Sequence, residues 1–217
     1  MYKKCKKFEK NGLVIGLTGN IGVGKSLVLK YFHKKGFFTY SADEIVKQEY
    51  NDKNSQFYQL VLNLFRNEKK IDILNPDFSI DKNKMLEIML KDVVLIKKLN
   101  DITKKTVLKR LEKFIIYGKK NYKFSIIEIP ILFEMDLQKK EYIDLILTIK
   151  TQKDFVKKRI FKQRKLTDEL YSFFLKNQFD YEKKILDKKE IIIYNNTTIF
   201  MLQKKLNYFI NIVKKIC

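Results

Sequence analysis

With 217 residues, 45% of them hydrophobic, the chain can bury a full core in one domain, and no apolar run approaches the ~18 residues of a membrane-spanning helix. Its 46 Lys and Arg against 25 Asp and Glu give a formal net charge of +21 at pH 7, which raises nucleic-acid binding as a class. The lysines are spread along every segment and Arg occurs only at 66, 110, 159 and 164, so they read as solvated faces produced by compositional bias, with a general attraction for anionic ligands. Nucleic acid is therefore not expected as a partner. Cys5 and Cys217 have neither metal-ligand nor disulfide-framework spacing, which fits a reducing compartment. Residues 1–12 form a basic tail with no secretory apolar core, so a soluble, cytoplasmic monomer is expected.

The first element is an apolar run, Leu13 to Thr18, of strand-forming residues. It leads into Gly19-Asn20-Ile21-Gly22-Val23-Gly24-Lys25-Ser26, which fits G-x-x-x-x-G-K-[ST], and a helical pattern follows from Lys25 to Lys35. Strand, loop and helix in that order specify a phosphate-binding loop. Glycines at 19, 22 and 24 permit backbone angles that let successive N–H groups turn inward around phosphate oxygens, and the helix adds its positive N-terminal end. Lys25 is expected to bridge β- and γ-phosphates and the Ser26 hydroxyl to take one position on Mg²⁺. The ATP contacts then run from Gly19 through Leu27.

Gly36 stops the helix, and Phe37 to Tyr40 gives a short strand expected to pair in parallel beside Leu13 to Thr18. Asp43 falls just past its carboxyl end, where ligands gather in parallel sheets; it could equally N-cap the helix that follows. His33, the single histidine, reads as a helix-surface residue. A long helical block, about 43–118, comes next, with segments at 43–50, 55–67, 82–90 and 92–117 around the loop 72–77. It exceeds what one crossover needs and is expected to form a helical substrate-side insertion.

Phe124 to Pro130 is a buried-strand pattern in which Glu128 would be expensive without a purpose. Glu128 is expected to hold Mg²⁺ opposite Ser26, with a helix-capping acid as the alternative. Tyr142 to Ile149 is a further strand, and Thr151 or Asp154 starts a helix carrying Arg159. Another helix runs to about Asp187, Glu190 to Tyr194 forms the last strand, and Asn195 to Thr198 precede a terminal helix with core positions Ile199, Leu202, Leu206, Phe209 and Val213. Alternating strands and helices specify an α/β, three-layer P-loop NTPase-type fold over residues 1–217, with a parallel sheet of about five strands flanked by helices and a lid at about 155–180.

Ile15 to Ser26 resembles the I-G-L-T-G-G-I-G-S-G-K-S opening of dephospho-coenzyme A kinases. Ser41-Ala42-Asp43-Glu44-Ile45 is similar to their D-A-D-x-I motif, Leu99-Asn100 to the start of L-N-x-x-x-H-P, Pro130-Ile131-Leu132-Phe133-Glu134 to P-L-L-F-E, and Tyr194-Asn195-Asn196 to D-N-N-G. The matches fall in family order from about 13 to 200. The resemblance implies ATP- and Mg²⁺-dependent phosphorylation of the ribose 3′-hydroxyl of dephospho-coenzyme A, the last step of coenzyme A synthesis. It further implies Asp43 as general base, with Lys25 catalytic. By the same carry-over, Arg159, Arg164, Asn195 and Asn196 lie at ATP, and Pro130, Leu132, Phe133 and Glu134 at the acceptor. The chain departs from the pattern at Asn20, Ser41, Lys104-Lys105 and Thr197, and the second lid arginine falls on Gln163 with Arg164 adjacent. Another nucleoside or nucleotide kinase, or a nucleotide-dependent binding module, would share the loop but lack the P-x-L-F-E element.

Overall fold

A computed structural model describes residues 12–69, 71–139, 141–152, 154–157, 159 and 187–216. The rest of the basic tail, Cys5 and Cys217, Arg164, most of the lid region and the helix expected to end near Asp187 lie outside the described residues. The chain divides into a sheet unit, drawn from residues up to Ser41 and from Ile115 onward, and a helical unit, Ala42–Phe114.

In the sheet unit the opening apolar run becomes β1 (Leu13–Thr18), all six residues buried, as a strand covered on both faces must be. Around it β2 (Phe38–Ser41), β3 (Phe124–Glu128), β4 (Leu145–Lys150) and β5 (Glu190–Tyr194) form one parallel sheet in the order β2-β3-β1-β4-β5. The expected pairing of β2 with β1 is thus corrected: β3 lies between them, with Ser41 beside Glu128 and Glu128 beside Leu17. Composition supplies the reason. Ile126 and Ile127 of β3 are completely buried, whereas Phe38, Thr39 and Tyr40 of the four-residue β2 are only half-buried. Such a short, partly polar strand belongs at an edge.

Helices α1 (Lys25–Lys34) and α6 (Ile199–Ile216) cover one face. Val28 and Phe32 of α1 meet Leu202, Leu206, Phe209, Ile210 and Val213 of α6 in a core with Leu13, Ile15 and Leu17. Phe32 packs edge-on against both Phe37 and Phe209, with ring centroids 5.0 and 5.9 Å away. Gly36, at φ 81°, turns the chain out of α1 into β2. On the opposite face, a Cβ at Gly16 would lie 2.6 Å from Leu132 Cδ1, so only glycine lets the turn after β3 close down on the sheet.

The helical unit holds α2 (Ala42–Asn51), α3 (Gln56–Lys69), α4 (Lys82–Leu90) and most of α5 (Val93–Asn121). Phe57, Val61, Phe65, Ile73, Leu95 and Leu99 form its own core. Asp81 caps α4 by accepting from the Asn83 and Lys84 amides, both at 3.0 Å. Asp92 caps α5 by accepting from the Leu95 amide at 2.9 Å. The buried Glu49 of α2 pairs with Arg110 of α5, which offsets the cost of an otherwise uncompensated charge.

Before β1 and β4 pair at Ile15 and Leu145, Asp144 closes the ladder alone. Its amide donates to the Val14 carbonyl at 3.0 Å, its carboxylate accepts from the Val14 amide at 2.8 Å, and Lys119 sits 3.3 Å from the same carboxylate. Asp144→Ala strips the Val14 amide of its acceptor and is expected to cost about 1–3 kcal/mol, whereas Asp144→Asn retains an acceptor and costs less. Urea unfolding of the two variants checks the order.

Candidate active site

The carboxyl ends of β1, β4 and β5 converge on the loop that begins at Gly19, the place where parallel α/β sheets present their ligand sites. Gly19, Gly22 and Gly24 take φ of 137°, 76° and 99°. A side chain at Gly19 would fail twice, once on backbone conformation and once because its Cβ would come within 2.3 Å of the Ile149 carbonyl oxygen. Gly24, left-handed, is the residue from which α1 starts, so the amides of Lys25 and Ser26 stand in its open first turn.

Lys25 folds back over the loop. Its Nζ donates to the carbonyl oxygens of Gly19 at 2.8 Å and Asn20 at 3.0 Å, which places a positive charge at the mouth of the cradle. The loop is held from behind by residues beyond β4 and β5. Asn195 Nδ2 donates to the Val23 carbonyl at 2.8 Å, and Thr151 Oγ1 lies 3.4 Å from the same oxygen. Arg159 Nη2 donates to the Asn195 carbonyl at 3.1 Å. Its Nη1 is buried and finds no acceptor among the described residues. Asn196 accepts from the Gln152 amide at 2.9 Å.

Glu128 ends β3, 3% exposed, and accepts a hydrogen bond of 3.0 Å from the Ser41 hydroxyl at the end of β2. Asp43 follows two residues later, exposed and inside the first turn of α2, which begins at Ala42. The residue preceding the helix is therefore Ser41, and the alternative of Asp43 as the N-cap does not hold. Pro130 lends its carbonyl to Thr18 Oγ1 at 3.3 Å, and Glu134 is exposed. Leu132 is completely buried and fills space over Gly16, so it offers no surface to an acceptor, and Phe133 is nearly as enclosed. Asn195, at 4% exposure, is likewise committed to the protein.

Thr18 and Thr151 were not among the expected site residues. Both stand where a β-strand gives way to a turn and both tie loops together by their hydroxyls. A polar residue at the carboxyl end of a buried strand is the signal that marks them.

The sequence model of the dephospho-CoA kinase family matches residues 13–200. The chain is 33% identical to the dephospho-CoA kinase of Fusobacterium nucleatum over 197 residues, 91% of this chain and 96% of that one. It is 28% identical to the dephospho-CoA kinase of Lactobacillus acidophilus, over 93% of this chain and 98% of that one. Among solved structures it resembles a dephospho-CoA kinase from Campylobacter jejuni, with TM-score 0.60, 26% identity, and coverage of 93% and 97% of the two chains. TT1252 from Thermus thermophilus, 19% identical, shares the fold with TM-score 0.71 over 93% and 98%. With its phosphate loop on β1, Glu128 on β3 and Asn195 after β5 all inside the matched span, the chain belongs to the dephospho-CoA kinase family.

Proposed function

We propose that this protein transfers the γ-phosphoryl group of ATP to the ribose 3′-hydroxyl of dephospho-coenzyme A, giving coenzyme A and ADP. The observation that carries this reading is the family match over residues 13–200, which takes in the phosphate loop, Asp43, Glu128 and the Pro130 turn in one order. A nucleoside kinase or a nucleotide-dependent binding module would need only the loop.

The chemistry asks little covalent work of the protein, so position and charge dominate. The amides from Gly19 through Leu27 receive the phosphate oxygens, Asn20, Ile21, Gly22, Val23 and Gly24 forming the turn between. Lys25, now on the Gly19 and Asn20 carbonyls, turns its ammonium to the β- and γ-phosphates and neutralises charge that grows as the bond to the leaving oxygen breaks. Asp43 accepts the proton of the 3′-hydroxyl, whose oxygen forms the new bond to phosphorus while the bond to the β-phosphate breaks and ADP leaves. Arg159 directs its unpartnered Nη1 to a phosphate oxygen, with Arg164 as the second cation of the lid. Pro130 and Glu134 border the acceptor, with Leu132 and Phe133 packed beneath them as core.

A divalent cation such as Mg²⁺ would supply positive charge to offset that of the phosphates, and Ser26 and Glu128 are the residues that would hold it. Glu128 suits such an ion by its chemistry, being a carboxylate at the carboxyl end of β3, 3% exposed, and Ser26 by its hydroxyl in the first turn of α1. No group of three or more His, Cys, Asp or Glu that could hold a metal occurs among the described residues. The acceptor is dephospho-coenzyme A, the protein acts as a monomer, and its compartment is the cytoplasm.

Coupled ADP release with dephospho-coenzyme A, AMP and adenosine offered separately tests the assignment: turnover is expected with the first alone, and preference for either of the others overturns it. Lys25→Ala is expected to lower turnover by roughly 10²- to 10³-fold or more without unfolding the chain, since it removes charge aimed at the transition state. Asp43→Asn keeps the shape of the first turn of α2 and removes the basic oxygen. It is expected to lower kcat by roughly 10²- to 10⁴-fold at an unchanged melting temperature, and near-normal 3′-phosphorylation would move the base elsewhere.

A further inference from the structure

Asn195 is the first residue after β5, and its backbone groups and side-chain amide nitrogen are all engaged. Its amide donates to the Lys150 carbonyl at 2.8 Å, joining it to the end of β4. Its carbonyl receives Arg159 Nη2 at 3.1 Å and Thr151 Oγ1 at 3.3 Å. Its side chain reaches the Val23 carbonyl at 2.8 Å. A carbonyl only accepts, so the atom facing Val23 is the amide nitrogen, whatever its partner might be elsewhere. A Cβ on Gly24 would lie 2.7 Å from that nitrogen. Gly24 is thus needed twice, for its left-handed φ and for the room that Asn195 takes.

We propose that Asn195 is a positioning residue for ATP that acts through Val23 and not by touching the nucleotide. This rests on the phosphate-loop reading of residues 19–27. Holding the Val23 carbonyl toward the β5 side turns the Gly24 amide the opposite way, toward the ligand, because the C=O and N–H of one peptide plane point in opposite directions. The Asn195 carbonyl at the same time seats Arg159. One residue therefore holds both the cradle and Arg159 in a common frame set by β4 and β5. Without the side-chain amide, the buried Val23 carbonyl keeps only the Thr151 hydroxyl at 3.4 Å, the outer limit of a hydrogen bond.

The test uses Asn195→Asp, which has the same size but faces a carbonyl with an oxygen, and Asn195→Ala. ATP affinity is read by calorimetry, KM for each substrate by coupled assay, and the melting temperature alongside. ATP binding is expected to weaken by roughly 5- to 100-fold, the span set by leaving one buried carbonyl poorly satisfied. KM for dephospho-coenzyme A is expected to stay at its wild-type value. Wild-type ATP affinity in both variants overturns the proposal, as does an equal loss toward both substrates that tracks the melting temperature. If neither variant folds, Thr151→Val removes the other donor to Val23, and ATP KM is expected to rise by roughly 2- to 10-fold with dephospho-coenzyme A unaffected; no rise overturns the proposal. Lys25→Ala separates the two layers of the argument. If Lys25→Ala is inactive while the Asn195 variants bind ATP normally, only the positioning role fails; if Lys25→Ala is fully active, the phosphate-loop reading itself fails.

Discussion

A loop that turns its N–H groups toward an anion must send its carbonyls the other way, and each carbonyl kept from water must find a donor. That constraint organises the sheet unit. The Gly19 and Asn20 carbonyls are taken by Lys25, the Val23 carbonyl by Asn195 with Thr151 nearby, and the Gly24 carbonyl by the amides of Leu27 and Val28 as α1 begins. Two of the donors, Asn195 and Thr151, come from beyond β5 and β4, so the loop's shape depends on those strands lying beside β1. A glycine-rich segment with no such partners would be free to collapse. Lys25, proposed to act on the phosphates, is also one of these donors, and its ammonium is thereby held at the loop.

Sheet order follows from how much apolar surface each strand brings. β1 and β3, with continuous buried residues, take inner positions, and β2, with Thr39, Tyr40 and Ser41, takes an edge. These differences are plain in the sequence, and adjacency in the chain was the misleading cue. A crossover through α1 can pass over one strand position as readily as it can fill the next. Nothing local to residues 37–41 reports that the vacated place belongs to a strand more than eighty residues later, since the β3 partners of β2 are separated from it by 87 positions.

What was legible in the site was the part written as contiguous motif. Gly19 to Ser26 specifies backbone conformations, so its geometry can be read directly from residue type, and helices α1 to α6 were visible from periodicity and stop signals at Gly36 and the caps. What was not legible was the direction of side chains after a strand ends. Leu132 and Phe133 sit in a family-like element and are core residues, because the turn after β3 folds inward over Gly16. Asn195 sits in another and is buried behind the loop. In both cases spacing alone cannot separate a residue that meets a ligand from one that supports the surface meeting it, because each is fixed by contacts more than a hundred residues away.

Ser41 shows how a departure from a family pattern can be absorbed locally. The family-like motif has an aspartate at this position, and in the parallel register of β2 and β3 residue 41 lies directly beside Glu128. A second carboxylate there would place like charges together in a nearly dry environment, tolerable only with a cation between them. Serine removes the repulsion and donates a hydrogen bond to Glu128 at 3.0 Å, which orients that carboxylate. The exchange gives up a carboxylate near the end of β2 and gains a hydrogen-bond donor to Glu128. Asp43, the proposed base, lies past the end of the strand in the first turn of α2, where its position is set by the helix and not by the register of the sheet.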